Sequence, residues 1–186
     1  MLDTISSFEF LKKFPIAGYQ IVEKEDDLKN VKFPCFLKLS TSKHKTRINS
    51  VFECHDPGEL EENFEKLKKR FKKEKFIVQE KIKGREMIIG LKKDEVFGMV
   101  LLLGEGGIYT EELEDVSFRA LPLGKNEIKE MLSELKVYKS IREKINEKKF
   151  IKLILKVCKL DVKELDINPV IVNDKEAVIV DARVKI

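Results

Sequence analysis

The sequence predicts an α+β fold, and three observations predict it. Apolar residues recur at helical spacing in some segments, as in Leu60, Phe64, Leu67 and Phe71, and in short runs bounded by turn residues in others. The runs FIVQEKI (76–82), EMIIGL (86–91) and VFGMVLLLG (96–104) succeed one another without a helix between them. That order suits antiparallel hairpins layered with helices and not the strict βαβ alternation of a doubly wound sheet. A break near Lys75 divides the chain into two α+β subdomains, 1–75 and 76–186.

Each element has its own reason. Phe8, Leu11 and Phe14 share a face of a short helix over 6–14, which Pro15 stops. A strand over Ala17 to Val22 leads to a polar linker, EKEDDLKNVK, with room for a short helix. PCFLKLS (34–40) reads as a buried strand, TSKHKTRINS as a polar, basic loop, and VFEC (51–54) as a returning strand. Asp56 and Pro57 open the next helix as cap and first-turn residue, with Glu59 three beyond the cap. In the second half Gly84 and Lys93-Asp94 mark turns between strands, and GEGG (104–107) is a glycine-rich turn. SFRALPL (117–123) reads as a strand, and helices are expected at 126–137 and 140–159. The last hairpin joins LDINPVIV (165–172) to EAVIVDARV (176–184) through Asn173-Asp174.

Composition narrows the function classes. A chain of 186 residues buries about 70% of its unfolded surface and needs no disulfide or metal to fold. With 42% hydrophobic residues and a net charge of only +4, it is globular and not disordered. Its 37 basic residues are matched nearly one for one by 33 acidic ones, which argues against a nucleic-acid partner. The basic helix KLKKRFKKEK (66–75) keeps a helical apolar period, so its lysines form a solvated face. Cys35, Cys54 and Cys158 are scattered and odd in number, which fits reduced thiols in a cytoplasmic protein. No apolar run approaches the ~20 residues of a membrane span, and MLDTISSFEF lacks a signal-peptide pattern.

Four features could carry chemistry. Lys38 lies inside an apolar strand, where an ammonium wants an anion such as a phosphate, unless the strand is an edge and the lysine faces water. His44 lies between Lys43 and Lys45, whose charges favour the neutral, nucleophilic imidazole and would hold an incoming phosphate; the plain alternative is an exposed loop histidine. Gly104, Gly106 and Gly107 follow an apolar strand and could let backbone N–H groups approach phosphate oxygens, or simply make a turn. Asp166 and Asn168, two apart, point to one face of a strand, and Asp181 lies near the middle of its partner strand. Those oxygens suit Mg²⁺; the alternative is a surface ion pair between Asp181 and Arg183.

In chain order, Lys38, SKHKT, VQEKIKGREMIIGLKKD, GMVLLLGEGGIYTEELEDVSFRALPL and ELDINPVIV…AVIVDAR resemble the ATP-grasp β subunit or domain of nucleoside-diphosphate-forming acyl-CoA synthetases. The ADP-forming acetyl-CoA synthetases are the nearest type, and succinyl-CoA synthetase β is more distant. This resemblance implies an ATP-grasp fold, two α+β subdomains clasping ATP or ADP with Mg²⁺. It implies a ligase that moves a phosphoryl group between a phosphohistidine and ADP, together with a CoA-binding α subunit. By the same resemblance His44 is the phosphoryl carrier and Lys38 a phosphate contact. The backbone of Gln79, Glu80, Lys81 and Ile82 reads the adenine edge, and Glu86, Gly106, Gly107 and Glu111 face the nucleotide. Asp166, Asn168 and Asp181 form the Mg²⁺ side.

The sequence departs from that pattern after His44. The family usually carries an acid and then two glycines there, where this chain has Arg47, Asn49 and Ser50. The departure keeps a second reading in view, a non-catalytic nucleotide-binding module that regulates or scaffolds a partner. A third is an ATP-grasp ligase that makes an acyl phosphate without using His44.

Overall fold

The computed structural model describes residues 1–42, 49–107 and 115–186. It divides the chain into two compact units, one of residues 2–10 and 17–82, the other of residues 1, 11–16 and 83–186. The strand Phe76–Glu80 therefore goes with the N-terminal strands and not beyond the break expected at Lys75.

In the first unit, α1 (Thr4–Phe10) precedes β1 (Tyr19–Val22), β2 (Cys35–Leu39), β3 (Val51–Cys54), α2 (Pro57–Arg70) and β4 (Phe76–Glu80). The four strands pair antiparallel in the order β1-β4-β2-β3. That order explains the unit boundary, because β4 is an inner strand whose neighbours both come from earlier in the chain. Alternation along β2 turns Cys35, Leu37 and Leu39 to one face, where they pack with Leu60, Phe64 and Leu67 of α2. The Asp56 carboxylate accepts the Glu59 N–H at 3.0 Å, the cap that the sequence announces. Helix α1 is shorter than expected and Phe14 lies outside it. A single 3-10 turn, Glu25–Leu28, occupies the polar linker.

The second unit contains β5 (Arg85–Asp94), β6 (Gly98–Glu105), β7 (Val116–Ala120), α3 (Lys125–Glu134), α4 (Lys136–Ile141), α5 (Glu147–Val157), β8 (Glu164–Val172), β9 (Ala177–Ile179) and β10 (Arg183–Lys185). Its antiparallel sheet runs β10-β8-β5-β6-β7, with β9 also on β8. Met87, Ile89, Leu101, Leu103 and Ile167 from the strands, with Phe150 and Ile154 of α5, are buried.

Two expected elements are broken. The helix expected over 126–137 ends at Glu134, because Leu135 is extended and the Asp115 carboxylate accepts the N–H groups of Lys136 and Val137 at 2.9 and 2.8 Å. The long helix over 140–159 is interrupted before Asn146, whose side chain caps α5 through the Lys149 N–H at 3.1 Å and whose own N–H donates to the Asn173 carbonyl. The last strand is also split, so Asp181 stands in the gap between β9 and β10 and not inside a strand. Among the described residues, no helix is long and apolar enough to cross a membrane.

Candidate functional site

In the first unit the expected phosphate contact is Lys38. It is 6% exposed and sits on β2, an inner strand, so it is not an edge lysine facing water. Its ammonium donates to the Gln79 Oε1 at 2.6 Å and lies 5.5 Å from the centre of the Phe36 ring. Gln79 is itself buried on β4, with its amide nitrogen on the Ala17 carbonyl at 3.4 Å. Lys81 approaches the same ring at 6.0 Å and donates to the Glu53 carboxylate at 2.6 Å. Two ammonium groups therefore lie within 6.0 Å of one aromatic ring. Phe36 lies two residues from Lys38 on the same strand, and strand alternation turns both to one face.

At the end of β4 the backbone is partly committed. The Glu80 N–H donates to the Gly18 carbonyl at 3.0 Å and the Lys81 N–H to the Pro34 carbonyl at 3.4 Å. The Glu80 carboxylate accepts the Gly18 N–H at 2.7 Å, and Ile82 is half-buried as the last residue of this unit. His44 lies outside the described residues.

In the second unit four of the expected residues meet at the glycine turn. Gly106 donates its N–H to the Glu86 carbonyl at 3.0 Å, and Gly107 donates to the Asn168 Oδ1 at 3.1 Å. Gly107 has a φ of +94°, and a β-carbon there would lie 2.1 Å from the Glu86 Oε2. The Glu86 carboxylate is thus laid directly against this glycine. Asp181 completes the group by register. Val170 pairs with Ile179 and Asp166 with Arg183, which places Asp181 opposite Asn168. Its Oδ1 accepts the Ala182 N–H at 2.9 Å. Glu111 lies outside the described residues.

Asp166 has a charged partner of its own. It is ion-paired with Arg183, directly across the strand pair, with side chains 22% and 15% exposed. The expected alternative paired Arg183 with Asp181; the register gives Arg183 to Asp166 instead. Among the described residues, no three His, Cys, Asp or Glu side chains gather into a metal cage. The donors that gather by contact and register are oxygens, the Asn168 amide and the Asp181 carboxylate, with the Glu86 carboxylate on Gly107. An oxygen set with a single amide and few charges fits a hard cation that keeps other ligands, such as Mg²⁺ shared with phosphates.

The sequence profile of the ATP-grasp domain matches residues 2–186. The chain is 34% identical over 168 residues to acetate–CoA ligase [ADP-forming] II of Archaeoglobus fulgidus, an alignment covering 84% of this chain and 25% of that one. It is 32% identical over 176 residues to the beta subunit of acetate–CoA ligase [ADP-forming] II of Pyrococcus furiosus, covering 82% of this chain and 75% of that one. The chain belongs to the ATP-grasp family of the ADP-forming acetate–CoA ligases. A solved dinucleotide-forming acetyl-coenzyme A synthetase 1 of Ca. Korarchaeum cryptofilum shares the fold, with a TM-score of 0.86 at 24% identity, covering 100% of this ATP-grasp chain and 93% of that one. This family member spans only a quarter of the Archaeoglobus ligase, and three quarters of the Pyrococcus subunit.

Proposed function

We propose that this chain is the nucleotide-binding β part of an ADP-forming acyl-CoA synthetase of the acetyl-CoA type, working in the cytoplasm with a CoA-binding α subunit. The observation that carries the reading is the convergence at Gly107 of Glu86 and Asn168, with Asp181 opposite, in a chain of this family.

In this reading Lys38 meets the phosphates of ATP or ADP, positioned by Gln79 and Phe36. The backbone of Gln79, Glu80, Lys81 and Ile82 takes the adenine edge through groups other than the Glu80 and Lys81 N–H, which already have partners. Gly106 and Gly107 face the phosphates with Glu86 and Glu111. Asn168 and Asp181 hold Mg²⁺, with Asp166 beside them under the control of Arg183. When bound there, Mg²⁺ supplies charge neutralisation at the phosphate oxygens. His44 is the carrier. Its neutral imidazole nitrogen attacks the terminal phosphorus of ATP, the N–P bond forms, the P–O bond to ADP breaks, and ADP leaves; ATP synthesis is the reverse.

The departure after His44 is milder than composition suggests. Asn49, at a position where the family carries glycine, has a φ of +45°, a left-handed conformation that asparagine tolerates. Arg47 in place of an acid is the feature that favours the second reading, a nucleotide-binding module without phosphoryl transfer. Incubation with γ-labelled Mg-ATP decides between them. The synthetase reading expects an acid-labile, base-stable label on the chain that His44→Asn abolishes while nucleotide binding persists. Label surviving in His44→Asn removes the histidine from its role, and nucleotide binding with no label in the unsubstituted chain supports the module.

A further inference from the structure

Arg183 contacts neither nucleotide nor metal in that reading, yet its ion pair with Asp166 stands beside the group that would hold the metal. Side chains two apart on a strand share a face. Asp166 and Asn168 are so related on β8, with Arg183 opposite the first and Asp181 opposite the second by register. The hairpin therefore sets a carboxylate–guanidinium pair next to a carboxylate–amide pair. The first pair is closed on itself, with both side chains mostly buried.

From this we infer that Arg183 sets the order of loading. By holding Asp166 it withholds the second carboxylate of the hairpin from a divalent cation, and its own charge repels that cation. What remains is one carboxylate and one amide on this hairpin, with the Glu86 carboxylate beside Gly107, less charge than with Asp166 free and too little to hold a metal ion tightly without phosphate. Phosphate oxygens supply the missing charge, so the cation binds well only together with nucleotide. Arg183 acts through Asp166 and is a positioning residue. The inference rests on the metal-holding role proposed for Asn168 and Asp181.

The experiment measures binding of Mn²⁺ alone by the magnetic resonance signal of the free aquo ion, and then with the non-hydrolysable analogue AMPPCP. Arg183→Gln, which releases Asp166 and removes a cation, is expected to tighten Mn²⁺ alone about tenfold. Arg183→Gln combined with Asp166→Asn is expected to return to the weak binding of the unsubstituted chain, and Arg183→Lys to stay there. Equal Mn²⁺ affinity in Arg183→Gln and the unsubstituted chain overturns the inference. Asp166→Asn gives an independent reading should Arg183→Gln fail to fold. It leaves an uncompensated guanidinium, so AMPPCP in EDTA is expected to bind several-fold tighter. Loss of Mn²⁺–AMPPCP binding without that gain identifies Asp166 as a ligand and overturns the inference. Asp181→Asn separates the two levels, because undiminished Mn²⁺–AMPPCP binding in that variant refutes the metal site itself.

Discussion

Gly107 shows how one residue's backbone can carry a site. Its φ of +94° is strained for any side chain, and the Glu86 carboxylate fills the place of its β-carbon. Gly98 has a φ of +74° with open space around it. The two glycines therefore separate strain from contact. Gly98→Ala is expected to cost about 1 kcal/mol of stability and leave nucleotide affinity alone. Gly107→Ala should cost a similar strain and also push Glu86 aside, lowering Mg-nucleotide affinity about tenfold in calorimetric titration; equal affinities in the two variants would show that the Glu86 contact is incidental. The thiols offer a second test at this scale. Burial pushes the Cys35 thiol up to about 12 and the Cys158 thiol up to about 11, and raises that of Cys54 as well. With about a thousandth or less of Cys158 ionised at pH 8, a disulfide reagent should find no fast thiol in the native chain and all three after guanidinium unfolding. Lys38, Asn168 and Asp181 stand out in the sequence as anomalies of type, polar groups in apolar runs. The partner of Arg183 was not, because it depends on a cross-strand register that spacing alone does not fix.

At the scale of elements, the legible parts are those whose apolar period dominates, such as α2 and β4 to β6. The missed breaks come from side chains distant in sequence. Nothing within 126–137 announces the stop at Leu135, since the capping carboxylate is Asp115, about twenty residues upstream. Asp115→Ala should accordingly cost about 1–2 kcal/mol, lowering Tm by roughly 2–8 °C in a domain of this size, with Asp115→Asn recovering part of it. The neighbouring tie between β7 and α3 adds a pH dependence. Glu134 accepts from the Ser117 hydroxyl at 2.5 Å and pairs with Arg119, and these contacts, the hydroxyl foremost, hold its carboxyl below the usual 4.5. A depressed carboxyl adds stability above its unfolded pKa and loses it as pH falls through the folded one. Melting curves of the parent and Glu134→Gln should thus differ by a constant amount above about pH 5 and converge below pH 4. A gap that persists in acid would place the stabilisation elsewhere than in the carboxylate.

Across the whole molecule, charge is balanced and local. Lys66 and Lys69 of the basic helix α2 pair with Glu62 and Glu65 at 2.7 and 2.9 Å, the geometry of a solvated face and not of a phosphate-tracking stripe. On the proposed reading selective anion binding comes instead from built positions such as Lys38, and a ligand that engages them stabilises the native state by mass action. At a hundredfold excess over Kd that stabilisation is about 2.7 kcal/mol, or roughly 5–11 °C in Tm for a chain of this length. Mg-ADP is expected to give such a shift, and ADP in EDTA a clearly smaller one. On the proposed reading, in which Lys38 contacts phosphate with or without metal, Lys38→Met should reduce both shifts. Asp181→Asn should reduce only the first, leaving the EDTA value intact. His44→Asn should keep both, since the carrier role proposed for His44 is needed for transfer and not for binding. A chain whose Tm rises equally with and without metal, and whose Asp181→Asn form behaves like the parent, would bind nucleotide without using the β8 hairpin, and the metal half of the assignment would fall while the Lys38 half stood.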